Sequence, residues 1–148
     1  MSMLKPNKAK IRSKIMASIR GKDTSPELVV RTYLHGVGLR YRVHTALDGI
    51  HPDLVFPKYN AIVFVHGCFW HQHRRCGKAG VPRVRRNFWK DKFKANIKRD
   101  ARQKSYLLRV GWRVATVWEC NLAESVRNKS LKMLYKWIQS KRRVIEIG

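Results

Sequence analysis

Acidic residues are scarce in this chain: nine Asp and Glu stand against 33 Lys and Arg in 148 residues. A formal net charge of +24 is far more than solubility needs, so it points to a polyanionic partner, with nucleic acid first among them. A basic chain without a specific partner, a ribosome-associated protein and a membrane-surface protein are the other readings. Cysteine is also sparse. Three thiols, an odd number, build no closed disulfide framework, which leaves metal ligation or buried free thiols. No apolar run approaches the length of a membrane span. The basic start, residues 1–10, lacks the apolar stretch of a secretory signal. The expectation is a soluble, cytoplasmic, monomeric protein with no membrane contact. The length fits one domain, and 44% hydrophobic residues are enough for a core.

Ile11, Ile15 and Ile19 recur every fourth residue with Met16 beside them, predicting an amphipathic helix over 8–20 whose cationic face suits a phosphate backbone. Gly21 ends it. Thr24 or Ser25 can cap a second helix, Pro26 fits its first position and Glu27 favours its positive end. Leu28, Val29 and Leu34 give that helix a buried face. Strands are expected over 39–44, 52–56 and 61–65, the last two joined through the tight turn 57–60 as an antiparallel hairpin. Residues 74–86 have glycine, proline and cations without a period, so they read as a basic loop. A helix over 87–109, capped by Asn87, follows, with Phe93, Ile97, Ala101 and Leu108 as its apolar stripe. Its other face carries Lys90, Lys94, Lys98 and Arg102. Like charges four residues apart oppose one another, so bound phosphates would account for them; a plain solvated face is the alternative. A strand over 112–118 and a helix over 121–142, buried through Leu131, Leu134, Tyr135, Trp137 and Ile138, complete the order. A hairpin followed by a helical crossover to another strand implies an α/β fold with a mixed β-sheet flanked by helices. That element order is the one of the restriction-endonuclease-like core, here over 23–142 of a single domain.

Chemistry concentrates at the end of the apolar run Ala61 to Val65. Three imidazoles and two thiols, His66, Cys68, His71, His73 and Cys76, follow within eleven residues. Packing alone does not account for that density; a rigid strand opening into a loop is where sites are built. Asp53 begins the partner strand, so the hairpin brings it toward His66. A carboxylate there is a hard-cation ligand of the kind Mg²⁺ takes; a solvated strand-end acid is the plainer reading. His66 and His71 titrate near neutrality and are candidates for proton transfer or phosphate orientation. Cys68, His73 and Cys76, with Cys120 from the end of the fourth strand, offer four soft ligands with no spare position, the pattern of a structural Zn²⁺. Three unrelated buried thiols are the alternative. Phe69 and Trp70 follow Gly67 beyond the strand, and Trp89 opens the long helix; aromatics among cations can stack on bases or wedge between them, where they do not simply pack.

The strings His66-Gly67-Cys68-Phe69-Trp70-His71, Phe88-Trp89, Arg99-Asp100, Gly111-Trp112-Arg113-Val114 and Trp118-Glu119-Cys120 resemble the very short patch repair (Vsr) DNA mismatch endonucleases. Arg12-Ser13-Lys14 with Met16, and Pro52-Asp53, fit the same pattern in the same order, over about residues 9 to 140. The resemblance implies the nuclease core, a structural zinc and a Mg²⁺-dependent site that nicks one strand of double-stranded DNA beside the thymine of a T:G mismatch left by 5-methylcytosine deamination. It implies Asp53 and the carbonyl of Val65 as metal ligands and His71 as general base or acid. His66 would be its partner, with Glu27 and Asp100 as supporting acids. Phe69, Trp70 and Trp89 would be intercalating aromatics, and the helix carrying Met16 an element inserted from the opposite groove. Other repair proteins are implied as partners. Two departures stand out: His73 and Cys76 are one residue further apart than in the family, and Arg85, Arg86 and Asn87 replace its threonines and glutamate. A related nuclease with a restriction or homing target, and a zinc-stabilised DNA-binding module without catalysis, are the competing readings. The set Asp53, His66 and His71 favours an enzyme, because a binder needs none of them.

Overall fold

The computed structural model describes residues 24–148; the helix expected over 8–20, with Met16, lies outside them. Helix α1 (Ser25–Gly36) begins after extended Thr24, with Pro26 in its first turn and no side-chain cap. Its buried positions are Glu27, Val30 and Leu34. The expected face is therefore rotated: Leu28 is 47% exposed, and an acid takes a place in the packed stripe.

The strand expected over 39–44 is absent. Only one bridge forms there, Arg42 to Val55, and His44 adopts a left-handed backbone with φ 54°, which breaks the extension. Tyr41 and Val43 still pack against the core. Their alternation reported burial rather than a ladder.

Strand β1 (Leu54–Phe56) pairs antiparallel with β2 (Ala61–His66) through Leu54 to Val63, Val55 to Ile62 and Phe56 to Ala61. A 3₁₀ turn, Pro57–Tyr59, and left-handed Asn60 link them. Helix α2 (Arg86–Arg109) then carries the chain to β3 (Arg113–Trp118), parallel to β2 in a register that sets His66 beside Trp118. Arg85, left-handed, precedes α2, and Asn87 lies within it rather than capping it. After a 3₁₀ turn at Glu119–Leu122, the last helix α3 is shorter than expected, Arg127–Ile138. The chain closes with β4 (Val144–Ile147), parallel to β3, which sequence patterning did not anticipate. The mixed sheet has the order β1-β2-β3-β4.

Two apolar clusters define the layers. On one face Val30 and Leu34 of α1 and Leu131, Leu134, Trp137 and Ile138 of α3 pack with Val63, Val65, Ala115 and Val117. On the other, Leu107 of α2 packs with Val55, Ile62 and Val114. Helix α2 buries only Phe93 and Leu107; Ile97 is 49% exposed and Ala101 is exposed as well, so half of its expected apolar stripe faces outward. No helix among the described residues is long and apolar enough to cross a membrane.

Candidate active site

Consecutive residues of a strand point to opposite faces, and the end of β2 uses both. On the α1 side, the Val65 N–H donates to Asp53 Oδ2 at 2.6 Å. The Asp53 N–H donates to the Val63 carbonyl at 3.1 Å, which fixes that residue just before β1. Glu27, 4% exposed, faces it from the first turn of α1, and the two carboxyls share a hydrogen bond. Burial pushes Asp53 up to about 8, and the charge of and hydrogen bond to Glu27 add to the rise. The Val65 N–H and, more weakly, Arg31 oppose it. Arg31 Nη2 also holds Glu27 Oε2 at 3.3 Å. Two buried carboxyls facing each other, with Arg31 as their neighbouring cation, make a site a divalent cation would fill, since such a cation can replace the proton on Asp53 and offset both charges.

On the α2 side lie the imidazoles. A turn closed by the His71 N–H on the Gly67 carbonyl, 3.1 Å, folds the chain back so that the rings of His66 and His71 stack at 3.9 Å with 3° between planes. His71 Nδ1 meets Asp100 Oδ2 at 2.5 Å, and Arg99 Nη2 lies 3.4 Å from the other oxygen. Burial alone would raise Asp100. The hydrogen bond and charge of His71, with the charges of His66 and Arg99, nevertheless hold it below the usual carboxylate range. An ionised Asp100 accepts a hydrogen bond from the Nδ1–H of His71, which leaves Nε2 as the acceptor nitrogen of the neutral ring. Burial, and then the charge of His71, push His66 down to about 3, so it stays neutral. Its Nδ1 is buried without a hydrogen-bond partner.

The ligating atoms of His66, His71 and Asp100 lie within 4.8 Å of one another, but the ring geometry argues against a shared ion. A metal sits in the plane of each ligating imidazole, and two parallel stacked planes have no common point. The arrangement can hold and pass a proton. Asp53 and His66 thus come to the same strand end, as expected, but into separate clusters.

Just beyond, Cys68, His73, Cys76 and Cys120 place their ligating atoms within 4.8 Å of one another. His73 Nδ1 stands 3.6 Å from Cys68 Sγ and 3.4 Å from Cys120 Sγ. Ordinary metal–thiolate and metal–imidazole bonds in a tetrahedron give an edge of about 3.6 Å, so the cluster can hold a metal ion. Burial pushes the Cys68 thiol up to about 12. The Cys76 thiol is lowered, chiefly by the Lys78 N–H. The longer step from His73 to Cys76 is taken through left-handed Arg75, φ 57°. Three supporting contacts escaped sequence reasoning. The Cys68 N–H donates to Glu119 Oε1 at 3.1 Å. Trp118 stacks on His73 at 4.2 Å and 9°, and donates through Nε1 to Glu146 Oε1 at 2.8 Å. The Trp118-Glu119-Cys120 string signals the first two, whereas nothing in the sequence points to Glu146.

Phe69 and Trp70 are half-buried rather than projecting freely. Phe69 packs within 5.1–5.6 Å of Trp70, Trp89 and Phe93, and Asn96 Nδ2 donates to the Trp70 carbonyl at 3.0 Å. Phe88, 45% exposed, is the more open ring of this group. Lys90, Lys94, Lys98 and Arg102 are all exposed along α2.

The fold resembles the catalytic domain of the homing endonuclease I-Bth0305I, with a TM-score of 0.54 at 20% identity, over 79% of this chain and 97% of that one. The fold is that of a nuclease catalytic domain. The sequence model described as DNA mismatch endonuclease Vsr matches residues 4–78. The chain is 42% identical to the DNA mismatch endonuclease Vsr of Escherichia coli over 130 residues, 86% of this chain and 83% of that protein. It is 45% identical to the type II nicking enzyme V.XorIIP of Xanthomonas oryzae over 114 residues, 76% and 82% of the two chains. The chain belongs to the Vsr family of DNA mismatch endonucleases.

Proposed function

We propose that this protein nicks one strand of duplex DNA beside the thymine of a T:G mismatch, using Mg²⁺ at Asp53 and a structural Zn²⁺ at Cys68, His73, Cys76 and Cys120. The observation that carries the reading is the pairing of two unlike clusters at the end of β2: a buried carboxyl pair, Asp53 with Glu27, and a stacked His66–His71 pair backed by Asp100. A DNA-binding module without catalysis has no use for either, because each stores a charge or proton conflict that only chemistry repays.

The proposed roles follow from that geometry. Asp53, with the Val65 carbonyl and with Glu27 facing it, would hold Mg²⁺. When bound, that cation supplies neutralising charge to the phosphate and the leaving oxygen. His71 Nε2 accepts the proton of the attacking water while Asp100 holds the ring in the correct tautomer. The water oxygen would bond to phosphorus as the bond to the 3′ oxygen breaks, and a solvent water would protonate the departing 3′ oxygen, giving a 5′-phosphate and a 3′-hydroxyl. Neutral His66 buttresses His71 by stacking without adding charge. The zinc would pin the loop 67–76, so that the turn carrying His71 is rigid. Phe69, Trp70 and α2's own Trp89, which pack together, would enter the duplex, and the cations of α2 would hold its phosphates. Such a protein works in the cytoplasm on chromosomal DNA, and other repair proteins would take over the nick.

The test is a panel of duplexes that differ only in one base pair and its flanks, incubated with Mg²⁺ and resolved on denaturing gels. A single cut beside the mismatched thymine is expected. Equal cutting of matched and T:G duplexes would refute mismatch direction, and no cutting with any divalent cation would refute catalysis.

A further inference from the structure

Helix α3 carries a second cationic surface that the proposed reaction does not use. Between Glu124 and Glu146 the chain has seven Lys and Arg and no carboxylate. Along α3, Lys129, Lys132 and Lys136 are exposed, spaced at three and four residues, so they form one row on the outward side. Exposed Lys141 and Arg142 continue it past the helix end. The inward side is filled by Leu131, Leu134, Trp137 and Ile138. Among the described residues, none of the ion pairs to a carboxylate involves these cations.

Position separates this row from the active site. Helix α3 packs on the sheet face shared with α1, whereas α2 covers the other face. Because α3 connects the end of β3 to the start of parallel β4, it runs antiparallel to the strands. The row thus starts near the strand ends that carry the site and leads away toward the opposite edge. With one helix layer on each side of the sheet, the outward faces of α2 and α3 stand on the order of 30 Å apart. A straight duplex seated at the strand ends cannot follow both.

We infer that the α3 row, Lys129, Lys132 and Lys136 with Lys141 and Arg142, binds a second segment of duplex DNA through its phosphates, independently of the duplex at the active site. Charge complementarity selects the occupant: a row of unpaired cations without carboxylates, on a chain already built for DNA, matches a line of phosphates. It carries no base-reading group, so binding there is sequence-independent. Two simultaneous contacts would let the enzyme pass between DNA segments without full release.

The inference rests on DNA being the ligand, and the experiment keeps the two apart. The wild-type protein is titrated at low salt with a matched duplex of roughly one helical turn, about 10 base pairs, too short and stiff to wrap around the sheet and lie along both faces at once. Stoichiometry is read by sedimentation. Two duplexes per protein are expected, the weaker one lost first as salt rises. The Lys129→Gln/Lys132→Gln/Lys136→Gln variant should bind one duplex and lose about 2 to 3 from the total salt slope. It should nick a short T:G duplex at the wild-type rate. The same three positions changed to Arg should restore two-duplex binding. One duplex per wild-type protein, or an unchanged stoichiometry in the Gln variant, overturns the inference. A surface meant for an acidic protein would give the first of these results. Loss of nicking in wild type would instead count against the endonuclease reading.

Discussion

Replacing Asp53 by Asn should abolish nicking and, at the same time, stabilise the metal-free protein. Asp53 sits near 8 in the fold against 3.8 for the free group. Between those values the folded chain keeps a proton that the unfolded chain has released, so the contribution of this group to stability falls as pH rises. The slope is about 1.4 kcal/mol per pH unit for one proton, hence roughly 2 to 3 kcal/mol between pH 5 and pH 7. An Asn side chain has the shape of the protonated acid and can donate to Glu27, but it has no proton to lose. The variant should therefore be more stable than wild type at pH 7 by roughly 2 to 4 kcal/mol, which moves the urea midpoint up by about 1 to 2 M. Urea unfolding followed by tryptophan fluorescence, at pH 5 to 8 with and without Mg²⁺, measures this. Contributions of titrating groups away from the Asp53–Glu27 pair cancel in the difference between the two proteins. Added Mg²⁺ should flatten the wild-type slope, because the cation replaces the shared proton, and should leave the variant unaffected. A variant that keeps the wild-type pH slope would refute the shared-proton argument. One that nicks at the wild-type rate would remove Asp53 from the metal site.

Cys120→Ser should release about one zinc per chain by elemental analysis and lower thermal stability, because metal-binding energy here is folding energy; well-folded wild type without zinc would sink the assignment. Asp100→Asn should slow single-turnover nicking about 10²- to 10⁴-fold with DNA affinity little changed, since His71 loses the partner that sets its tautomer. The same variant should lose less stability in acid than wild type. The lowered Asp100 contributes above its unfolded value, and that contribution disappears as pH falls through the folded one. Phe69→Ala with Trp70→Ala should reduce the preference for T:G over matched duplex in affinity and rate, while salt-sensitive binding to matched DNA persists. Because both rings also pack in the Trp89–Phe93 group, the melting temperature should fall too.

What could be read before folding was whatever a short window carries. Ala61 to His66 is a strand because β-branched residues are continuous there, and the metal ligands declare themselves by soft donors crowded into one loop. The hidden features depend on distant partners. Glu27 reads locally as a residue that favours a helix start, yet it is buried because it faces Asp53 across the fold. Strand β4 has four residues behind three cations, too few for a period, and is held by the ladder to β3 and by Trp118 reaching Glu146. The segment 39–44 failed in the opposite sense: its alternation is real, but β1 offers only the Arg42 bridge. Ile97 and Ala101 have helical spacing but stay uncovered, because they line an open cleft with Phe64, His66 and Trp118.

The division of labour at Val65 and His66 explains why the site can work at neutral pH. Val65 belongs to the apolar cluster under α1 and α3, and its N–H serves Asp53. His66 turns to the other face, where Phe64 and Trp118 surround it and His71 stacks on it. Were both clusters in one pocket, the carboxyls of Asp53 and Glu27 would favour a charged His66 and draw the imidazoles into ion pairs. The strand keeps them apart by one pleat. The carboxyl pair is left needing positive charge, so it prefers a cation. Among the described residues the imidazole pair has Asp100 as the carboxylate hydrogen-bonded to it, enough to orient His71 but not to charge His66. A phosphate lying over the strand end would then meet cation-holding oxygens from one face and a free imidazole nitrogen from the other. That is the separation of charge stabilisation from proton transfer that phosphodiester hydrolysis requires.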